Sequence, residues 1–576
     1  MTGKLCKGFG WVSTIASICL LILPPLLLAW YISSFGVNAF FWDEWEMVPL
    51  IRKIAEGRLS FSDLFAQHNE HRIPFSRMAM LAIGSITKYN TIAWMFLSYT
   101  LICFTALLIF HKYREDSSRD SHSKLLLNFL PISFLLFSFR QHESILWGFT
   151  SQIYLMLFGA VTTFFLLERS KKVDKWFVSS LLSAFVSSFS FVSGLMAWPI
   201  GFLQMLISGQ RDVRRIGLWC SGGIITFASY FYGYVKPAHH PPLNYVLANP
   251  LEGARYFLIV IGAPFSWDAG TAMAFGLVIM LIGSLTMVFA LKEGILRRNG
   301  IWFSLTLFAL SSSLLTTIGR AGFGAGQALS SRYTPITSLG IIGLYLLALR
   351  ISEKSPHKHK SFGAYAMLTL ILVGSIVSYP IGWGIGVSEK RFKDVGAYVL
   401  VTYKIQSDEN IRKYLYPAPA IVRERARFLE ENGLSVFSEP RVNLSALSPI
   451  GPDALFSVDT INGKIIAQQT SPISIDPKNE ETIRISGWAV DRRANDTASA
   501  VFVTVDGKLD VPALYGLDRP DVAKAFNNPK FRYSGYIATF SSSILGRGDH
   551  TISLKIVSKD GKHYYLPALV VFLTVK

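Results

Sequence analysis

The chain has 576 residues, of which 51% are apolar and only 16% are charged, and its formal net charge is +18. This composition excludes a soluble protein of several domains, because charged side chains keep such surfaces in water. The Lys and Arg residues lie mainly in short clusters between apolar runs, a pattern typical of membrane topology signals and not of a nucleic-acid interface. We therefore expect an integral membrane protein with no nucleic-acid partner.

Apolar stretches long enough to cross a hydrocarbon layer, which takes about 20 residues, recur about eleven times along the chain. The first follows Lys4 and Lys7 and is not followed by a small-residue cleavage site, so we interpret it as a retained signal-anchor helix. The apolar segment 256–265 is too short to cross and is interpreted as a dipping helix covered by protein. The predicted spans lie near 11–33, 92–110, 125–139, 149–168, 177–195, 197–209, 216–234, 270–291, 301–319, 335–350 and 362–383.

The loops rich in Lys and Arg fall on alternate sides of the predicted spans. The positive-inside rule places them in the cytoplasm together with the N-terminus. The opposite, extracytoplasmic face then carries the long first loop 34–91, the loops 140–148, 235–255 and 320–334, and everything after about residue 384. The basic loops are 112–124, 169–175, 211–215, 292–298 and 354–360.

The C-terminal part changes from helical to strand periodicity. Short alternating runs occupy 482–486, 501–505, 551–556 and 569–575, and turn signals such as Asp506-Gly507 separate some of them. We predict a transmembrane domain over 1–385, a helical connector over 386–456, and an all-β, immunoglobulin-like sandwich over 457–576. The four cysteines all precede residue 221, so no disulfide framework is expected in the sandwich.

Aromatic residues of the predicted sandwich lie beside Asp and Arg residues, notably at Trp488, Tyr515 and Tyr533. Such residues suit a sugar-binding face, where rings stack on the sugar and polar groups bind its hydroxyls. A buried tryptophan in a sandwich core is the alternative, and we favour it for Trp488.

Two adjacent acids open the first outer loop, in the segment Phe41-Trp42-Asp43-Glu44-Trp45-Glu46. The tryptophan rings are predicted to anchor at the membrane interface and to hold the carboxylates of Asp43 and Glu44 just above it. The alternative is that the two acids simply begin the following helix, because acids favour first turns.

A second polar group follows at His68-Asn69-Glu70-His71-Arg72. His68 and His71 are spaced to share a helical face, where they would ligate a metal with a carboxylate or bind an anion together with Arg72. The spacing matches no standard zinc motif, so a metal, an anion site and an ordinary interfacial loop all stay open.

Two arginines lie in the outer loop 320–334, where the positive-inside rule disfavours them. Arg320 and Arg332 are isolated cations in the sequence, and an anionic ligand such as a phosphate is their natural partner. Snorkelling at the helix ends is the alternative. Tyr333 next to Arg332, and His142 and Glu143 of the loop 140–148, complete the predicted substrate-binding set on this face.

These features together resemble the GT-C superfamily of membrane glycosyltransferases. The resemblance covers about residues 10–385 in architecture, and the motif match is the acidic pair of the first loop, carried here by Asp43 and Glu44. It includes protein mannosyltransferases, aminoarabinose and arabinofuranosyl transferases, and glucosyltransferases that decorate the O-antigen of lipopolysaccharide. The terminal extracytoplasmic β-domain fits this group as well.

The resemblance implies an inverting transfer of a hexosyl or pentosyl group from a polyprenyl-phosphate sugar to a glycan or lipid-linked acceptor. Asp43 is then the first-choice base and Glu44 its alternate, while some relatives also hold a divalent metal at this place. The physical chemistry agrees, because a hydroxyl needs a carboxylate to take its proton and a departing phosphate needs cations nearby. Arg320, Arg332 and the pocket residues His68, His71 and Arg72 are inferred from charge and sidedness alone.

Two other functions are alternatives to this one. A flippase or transporter of a lipid-linked sugar would also use outer-face arginines, but it should carry ionisable residues near mid-membrane and two related halves. A non-catalytic glycan-binding membrane protein would make the acidic pair incidental. The resemblance places the expected glycosyltransferase in a bacterial inner membrane, in contact with membrane lipid.

Overall fold

The computed structural model describes residues 2–117, 120–210, 212–238, 240–354, 358–468, 472–566 and 571–576. The chain forms two compact units. The first unit comprises Met1–Gly36 and Lys53–Glu389, and the second unit comprises Val37–Arg52 and Lys390–Lys576. The predicted acidic pair at Asp43 and Glu44 therefore belongs to the second unit, with the C-terminal part of the chain.

Eight helical segments of the described residues are long and apolar enough to cross a membrane. The chain is therefore a polytopic α-helical membrane protein, as its composition predicts. These segments are Thr14–Phe35, Thr91–Asp116, His122–Ile145, Gly148–Arg169, Ala269–Lys292, Gly300–Phe323, Ala325–Lys354 and Ser361–Val401.

The other three predicted spans also form helices, but these are shorter or less apolar. They are Lys175–Ser188, Ala197–Ile207 and Val213–Phe231, with 14, 11 and 19 residues. The number of eleven spans therefore stays a prediction. The segment 256–265, predicted to dip into the membrane, contains the second half of a helix of 13 residues, Pro250–Gly262.

Shorter helices complete the chain, and polar residues determine where several helices begin. Asn90, Asp174, Asp212 and Asp268 each accept a backbone N–H of the first turn of the helix that follows them. The remaining helices are Val48–Ala55, Phe61–Phe65, Pro74–Thr87, Tyr245–Ala248, Asp408–Tyr414, Pro419–Glu431 and Pro520–Ala525.

Two glycines bring the helices Pro250–Gly262 and Ala269–Lys292 into backbone contact. A Cβ atom at Gly262 would lie 1.9 Å from the Ala272 carbonyl oxygen, and one at Gly276 would lie 2.0 Å from that of Leu258. Only glycine allows this approach. The close crossing fixes the position of Tyr256, a residue of the candidate site.

The second unit contains a β-sandwich of one seven-stranded and one six-stranded sheet. Its core joins residues of both sheets, such as Ile485 and Phe540 from one and Val503 and Leu554 from the other. The predicted C-terminal β-domain is therefore present. Its strands are Ser448–Ile450, Ala454–Ile461, Lys464–Ile465, Ile473–Ile475, Thr482–Asp491, Asp496–Thr497, Ala500–Val505, Leu509–Pro512, Leu514–Leu517, Gly535–Ser541, Gly548–Val557, His563–Tyr565 and Val571–Val575.

The strand Val571–Val575 has neighbours on both sides within the seven-stranded sheet. It pairs antiparallel with Gly548–Val557 and parallel with Ile473–Ile475. Leu573 of this strand is completely buried in the sandwich core. The predicted strand began at residue 569, and its first two residues lie outside the described residues.

The aromatic residues predicted for a sugar-binding face serve the packing of the sandwich in two cases. Trp488 packs against a small apolar cluster with Val490, Val522 and Phe531. The Tyr515 hydroxyl donates to the Ala489 carbonyl and accepts from the Ala498 N–H, at 2.6 and 3.0 Å. The packing role favoured for Trp488 agrees with these contacts.

Asp491 is a buried acid that joins three segments of the sandwich, and we expect its amide variant to destabilise the protein. It is 2% exposed. One carboxylate oxygen accepts from the Ala494 N–H and the Tyr565 hydroxyl, and the other from the Lys559 N–H. In Asp491→Asn an NH₂ group faces at least one of these donors, so we expect a loss of about 2–3 kcal/mol of unfolding free energy. Calorimetric unfolding of the purified protein measures it.

Asp549→Asn is the matched control, because Asp549 is exposed and its carboxylate accepts from the Thr574 hydroxyl. We expect this variant to lose less than about 1 kcal/mol. Equal losses in the two variants would contradict the role assigned to Asp491.

Candidate functional site

His68 and His71 of the first unit close a tight turn and do not share a helical face, contrary to the prediction. The backbone N–H of each donates to the carbonyl of the other, both at 2.8 Å. Asn69 between them has a φ of 50°, in the left-handed region that asparagine tolerates. The two rings therefore have different neighbours, and His68 contacts Phe149 edge to face at 4.9 Å.

Glu70, at the tip of this turn, is the centre of a charged cluster that the sequence did not single out. Its Oε1 accepts from the Arg320 guanidinium and lies 3.5 Å from His71 Nε2, while its Oε2 lies 3.6 Å from His240 Nε2. Burial by itself raises the pKa of the Glu70 carboxyl, but His71 and Arg320 outweigh it and lower the pKa to about 2. The group is therefore a carboxylate at neutral pH.

The ring of His71 is held in one orientation. It is 7% exposed and stacks on Phe191 with ring centroids 4.0 Å apart. Its Nδ1 accepts from the Val192 N–H at 3.4 Å, so we place the proton on Nε2, facing Glu70. The imidazole thus donates toward the same carboxylate oxygen as Arg320.

Arg72 uses its guanidinium to fix the backbone around it. It donates to the carbonyls of Phe65, Tyr230 and Tyr232 at 2.9, 2.7 and 2.5 Å. Tyr230 and Tyr232 lie at the C-terminal end of the helix Val213–Phe231, where unpaired carbonyls and the helix dipole favour a cation. The contacts give Arg72 a positioning role, and its predicted part in substrate binding stays a prediction.

Arg332 of the first unit forms an ion pair with Glu143. Its Nε lies 2.8 Å from Glu143 Oε1, and the Ser330 hydroxyl donates to Glu143 Oε2 at the same distance. About one third of each charged side chain is exposed. The argument from isolated cations was therefore wrong, because Arg320 and Arg332 each have a carboxylate partner.

The Tyr256 phenol is near enough to Arg320 and Arg332 for the charges of both to act on it. Burial and then Tyr333 raise the pKa of its phenol, while the charges of Arg320 and Arg332 both act to lower it. Its hydroxyl donates to Gln327, whose amide nitrogen donates to the Tyr333 hydroxyl at 2.9 Å. The structure thus brings Arg320, Arg332 and Tyr333 of the predicted set to one neighbourhood.

The Trp267 ring contacts two residues of the loop 140–148. The Arg140 guanidinium lies 4.4 Å from its ring centroid, and the His142 ring stacks on it at 5.5 Å. Arg140 is 2% exposed and donates to the carbonyls of Ser266 and Leu329, which fixes the loop in place.

The acidic pair lies in a 3₁₀ helix, Trp42–Met47, of the second unit. Glu44 is 1% exposed and its Oε2 accepts from the Phe41 N–H at 2.9 Å, which is the capping contact of an acid in a first turn. Asp43 is half-buried, and its charge contributes to the raised pKa of Tyr416, which has burial and Glu46 as its larger causes.

The predicted interfacial anchoring fails for one of the two tryptophans. Trp45 is completely buried, whereas Trp42 is 45% exposed. Arg425 of the helix Pro419–Glu431 donates to the Trp45 carbonyl at 2.7 Å and pairs with Glu46 at 3.2 Å. Packing within the second unit therefore holds this segment.

No group of three or more His, Cys, Asp or Glu side chains is placed to hold a metal ion in the part of the chain that the structure describes. The sequence gives no role of their own to Glu70 and His240, and it does not distinguish Tyr256 at all. Glu70 lay inside a motif that was noted for its histidines, whereas nothing local distinguishes Tyr256 within its apolar segment.

The described features define a polytopic membrane protein with a charged, aromatic cluster in its helical unit and a C-terminal β-sandwich. No family model matches the sequence. A relative of unassigned function from Archaeoglobus fulgidus is 30% identical over 214 residues, which cover 34% of this chain and 54% of the relative. The chain thus spans about half the length of that relative.

Two solved structures of ArnT from Cupriavidus metallidurans are similar to this chain. The apo structure has a TM-score of 0.41 at 12% identity and covers 74% of this chain and 88% of ArnT. The structure bound to undecaprenyl phosphate has a TM-score of 0.35 at 10% identity and covers 93% of this chain and 99% of ArnT. Both TM-scores lie below 0.5, so these likenesses carry no argument about the function.

Glu70 makes the stability of the protein vary with pH in the acidic range. Its pKa is about 2 in the folded state against an ordinary 4.5, so it contributes stability that is fully present above pH 4.5 and is lost as the pH falls toward 2. The difference corresponds to about 3 kcal/mol. We expect Glu70→Gln to unfold at a lower temperature than wild type at pH 7 and the gap to narrow at pH 3.

Glu56→Gln is the control for this pH dependence. Glu56 makes an exposed ion pair with Arg58, so the same chemical change removes no buried charge. We expect its unfolding temperature to follow that of wild type at both pH values. A gap between Glu70→Gln and wild type that is independent of pH would contradict the assigned pKa.

Proposed function

We propose that this chain is a GT-C type glycosyltransferase that moves a sugar from a polyprenyl phosphate to a hydroxyl of a glycan or lipid-linked acceptor. The reaction takes place on the extracytoplasmic face of the cell membrane, and a bacterial inner membrane is the proposed location. The observation that supports this proposal is the neighbourhood of Arg320, Arg332 and the Tyr256 hydroxyl in a helical membrane unit. Such a neighbourhood suits the phosphate group of a lipid.

The carboxylate partners of the two arginines are consistent with a phosphate site. Glu143 and Arg332 are partly exposed, so a phosphate can approach Arg332 while Glu143 turns to water. Phosphate oxygens match the planar donors of a guanidinium, and such pairs are stronger than neutral hydrogen bonds. Glu70 keeps Arg320 oriented before the donor binds.

In the proposed reaction, Asp43 accepts the proton of the acceptor hydroxyl. The oxygen then forms a bond to the anomeric carbon of the donor sugar, on the face opposite to the phosphate. The bond between that carbon and the phosphate oxygen breaks, and its electron pair leaves with the polyprenyl phosphate. The configuration of the sugar is inverted as a result.

Asp43 is preferred to Glu44 as the base because of their surroundings. The Glu44 carboxylate is buried and accepts from the Phe41 N–H, so it already serves the local fold. Asp43 retains exposed surface, which a base needs in order to reach an acceptor.

The test is a transfer assay with purified protein in lipid nanodiscs. It supplies polyprenyl-phosphate glucose or arabinose and a lipid-linked glycan, and it determines the anomeric configuration of the product by NMR. We expect a product with inverted configuration. A retained configuration would exclude the direct displacement, and movement of an intact lipid-linked sugar between leaflets without transfer would indicate a flippase instead.

A further inference from the structure

A small polar hollow lies within the second unit, on the outer face of the six-stranded sheet. Its volume is about 230 Å³. The sheet supplies one wall through Arg484, Leu514 and Thr539, and the helix Asp408–Tyr414 supplies the opposite wall. None of the residues proposed for sugar transfer lines this hollow.

The alternation of the strands explains why polar side chains reach the hollow. Ile483 and Ile485 point into the sandwich core and are completely buried, so Thr482 and Arg484 point outward. Thr539 stands opposite Arg484 in the sheet register and shares this outer face.

The floor of the hollow is held by a buried hydrogen-bond network. The Tyr398 hydroxyl accepts from the Thr539 N–H at 2.9 Å and donates to the Thr539 carbonyl at 3.2 Å. Gln406 donates to the same carbonyl at 2.7 Å and accepts from Asn410 at 2.8 Å. The hollow is therefore preformed, which lowers the entropic cost of binding.

Two cations line the hollow without a carboxylate partner among the described residues. Lys413 and Arg484 are both exposed, and neither forms an ion pair with any described residue. The acid of the same lining, Glu409, accepts from the Thr482 hydroxyl at 3.3 Å. The lining thus offers two free positive groups and one carboxylate that accepts from hydroxyls.

Aromatic and apolar surface completes the lining. The Tyr414 ring packs on Phe392 at 5.1 Å, and the Lys413 ammonium lies 5.3 Å from the Tyr414 centroid. Leu514 and Ile537 contribute an apolar patch on the sheet side. A ring with one apolar face and several hydroxyls matches this combination.

We propose that this hollow binds one uronate residue of a glycan, with the sugar carboxylate held by Lys413 and Arg484. The volume is below the roughly 300–1,000 Å³ of pockets for drug-sized ligands, which suits a single sugar ring. Glu409 accepts hydrogen bonds from the sugar hydroxyls and Asn410 donates to them. The apolar patch of Leu514 and Ile537 covers the apolar face of the sugar ring. This binding site goes beyond the transfer reaction and does not depend on it.

Calorimetric titration of the purified full-length protein with tri-galacturonate tests the proposal, and maltotriose serves as the neutral probe. We expect saturable binding of tri-galacturonate and at least tenfold weaker binding of maltotriose. The double variant Lys413→Ala with Arg484→Ala should weaken tri-galacturonate binding by about tenfold or more, as expected for lost charge-assisted hydrogen bonds. Arg484→Lys, which keeps the charge, should retain most of the affinity.

The matched control is the double variant Lys508→Ala with Lys562→Ala, which removes two exposed cations elsewhere in the sandwich and should bind as wild type does. Asp43→Asn should also bind tri-galacturonate normally, so a failure of the proposed transfer and a failure of this site are separate results. Absence of saturable binding to wild type, equal binding of maltotriose, or unchanged binding by the Lys413 and Arg484 double variant would each overturn the proposal.

Discussion

Replacing Asp43 by Asn is expected to reduce the rate of sugar transfer by about 10²- to 10⁴-fold, the contribution of a positioned general base. The Asn side chain has nearly the same shape as Asp, but its amide cannot take the proton from the hydroxyl of the acceptor substrate. The donor should still bind, because the arginines proposed to hold its phosphate are unchanged. The measurement is kcat in the nanodisc assay, together with the KM for the polyprenyl-phosphate sugar.

Glu44→Gln is the matched comparison for Asp43→Asn. Glu44 is the adjacent acid, but it is buried and caps the 3₁₀ helix. We expect this variant to lose about 1 kcal/mol of stability and to keep most of its transfer rate per folded molecule. The opposite result, with Glu44→Gln inactive and Asp43→Asn active, would exchange the roles of the two acids.

Transfer that survives in the double variant Asp43→Asn with Glu44→Gln would rule out a base in this segment. Labelling of a cysteine introduced at Trp42, which is 45% exposed, gives an independent check on sidedness. Reaction with a membrane-impermeant reagent from the cytoplasmic side would place the acids away from the proposed acceptor.

Removing Arg332 is expected to weaken donor binding by about 10- to 100-fold, the effect of losing charge-assisted hydrogen bonds to a phosphate. Arg332→Ala leaves the partly exposed Glu143 carboxylate to be solvated by water, so the fold should tolerate the change. The measurement is the KM for the polyprenyl-phosphate sugar, supported by direct titration with the released polyprenyl phosphate.

Two further variants make the Arg332 result specific. Arg332→Lys keeps the charge but not the planar pair of donors, so we expect an intermediate KM. Arg298→Ala removes another exposed cation, in a loop predicted to be cytoplasmic, and should leave the KM unchanged. An unchanged KM in Arg332→Ala would reject this residue as a phosphate ligand.

The membrane class and the β-domain were predictable because each rests on a local regularity. Long apolar runs predict the eight spans that the described part of the structure contains. The alternation of apolar and polar residues predicts strands such as Ala500–Val505 and Gly548–Val557. The turn at Asp506-Gly507 was also predictable, since both residues take positive φ values that suit them.

The candidate site was predictable only in part, because its contacts join residues that are far apart in sequence. Arg320 appeared isolated in its loop, yet its partner Glu70 lies 250 positions away. The spacing of His68 and His71 fits both a helical face and a tight turn, and Asn69 was the signal that favours the turn. The Trp45 carbonyl accepts a hydrogen bond from Arg425, which follows it by 380 positions.

The strand Val571–Val575 has a consequence for the order in which the β-sandwich is made. Until this strand has been synthesised, Gly548–Val557 and Ile473–Ile475 each have one edge with unpaired backbone groups. The place in the core that the Leu573 side chain fills also stays empty. The sandwich therefore cannot close during synthesis of its earlier strands. A nascent chain that stalls before residue 571 exposes two unpaired strand edges to other chains, which favours aggregation and attack by quality-control proteases at this step.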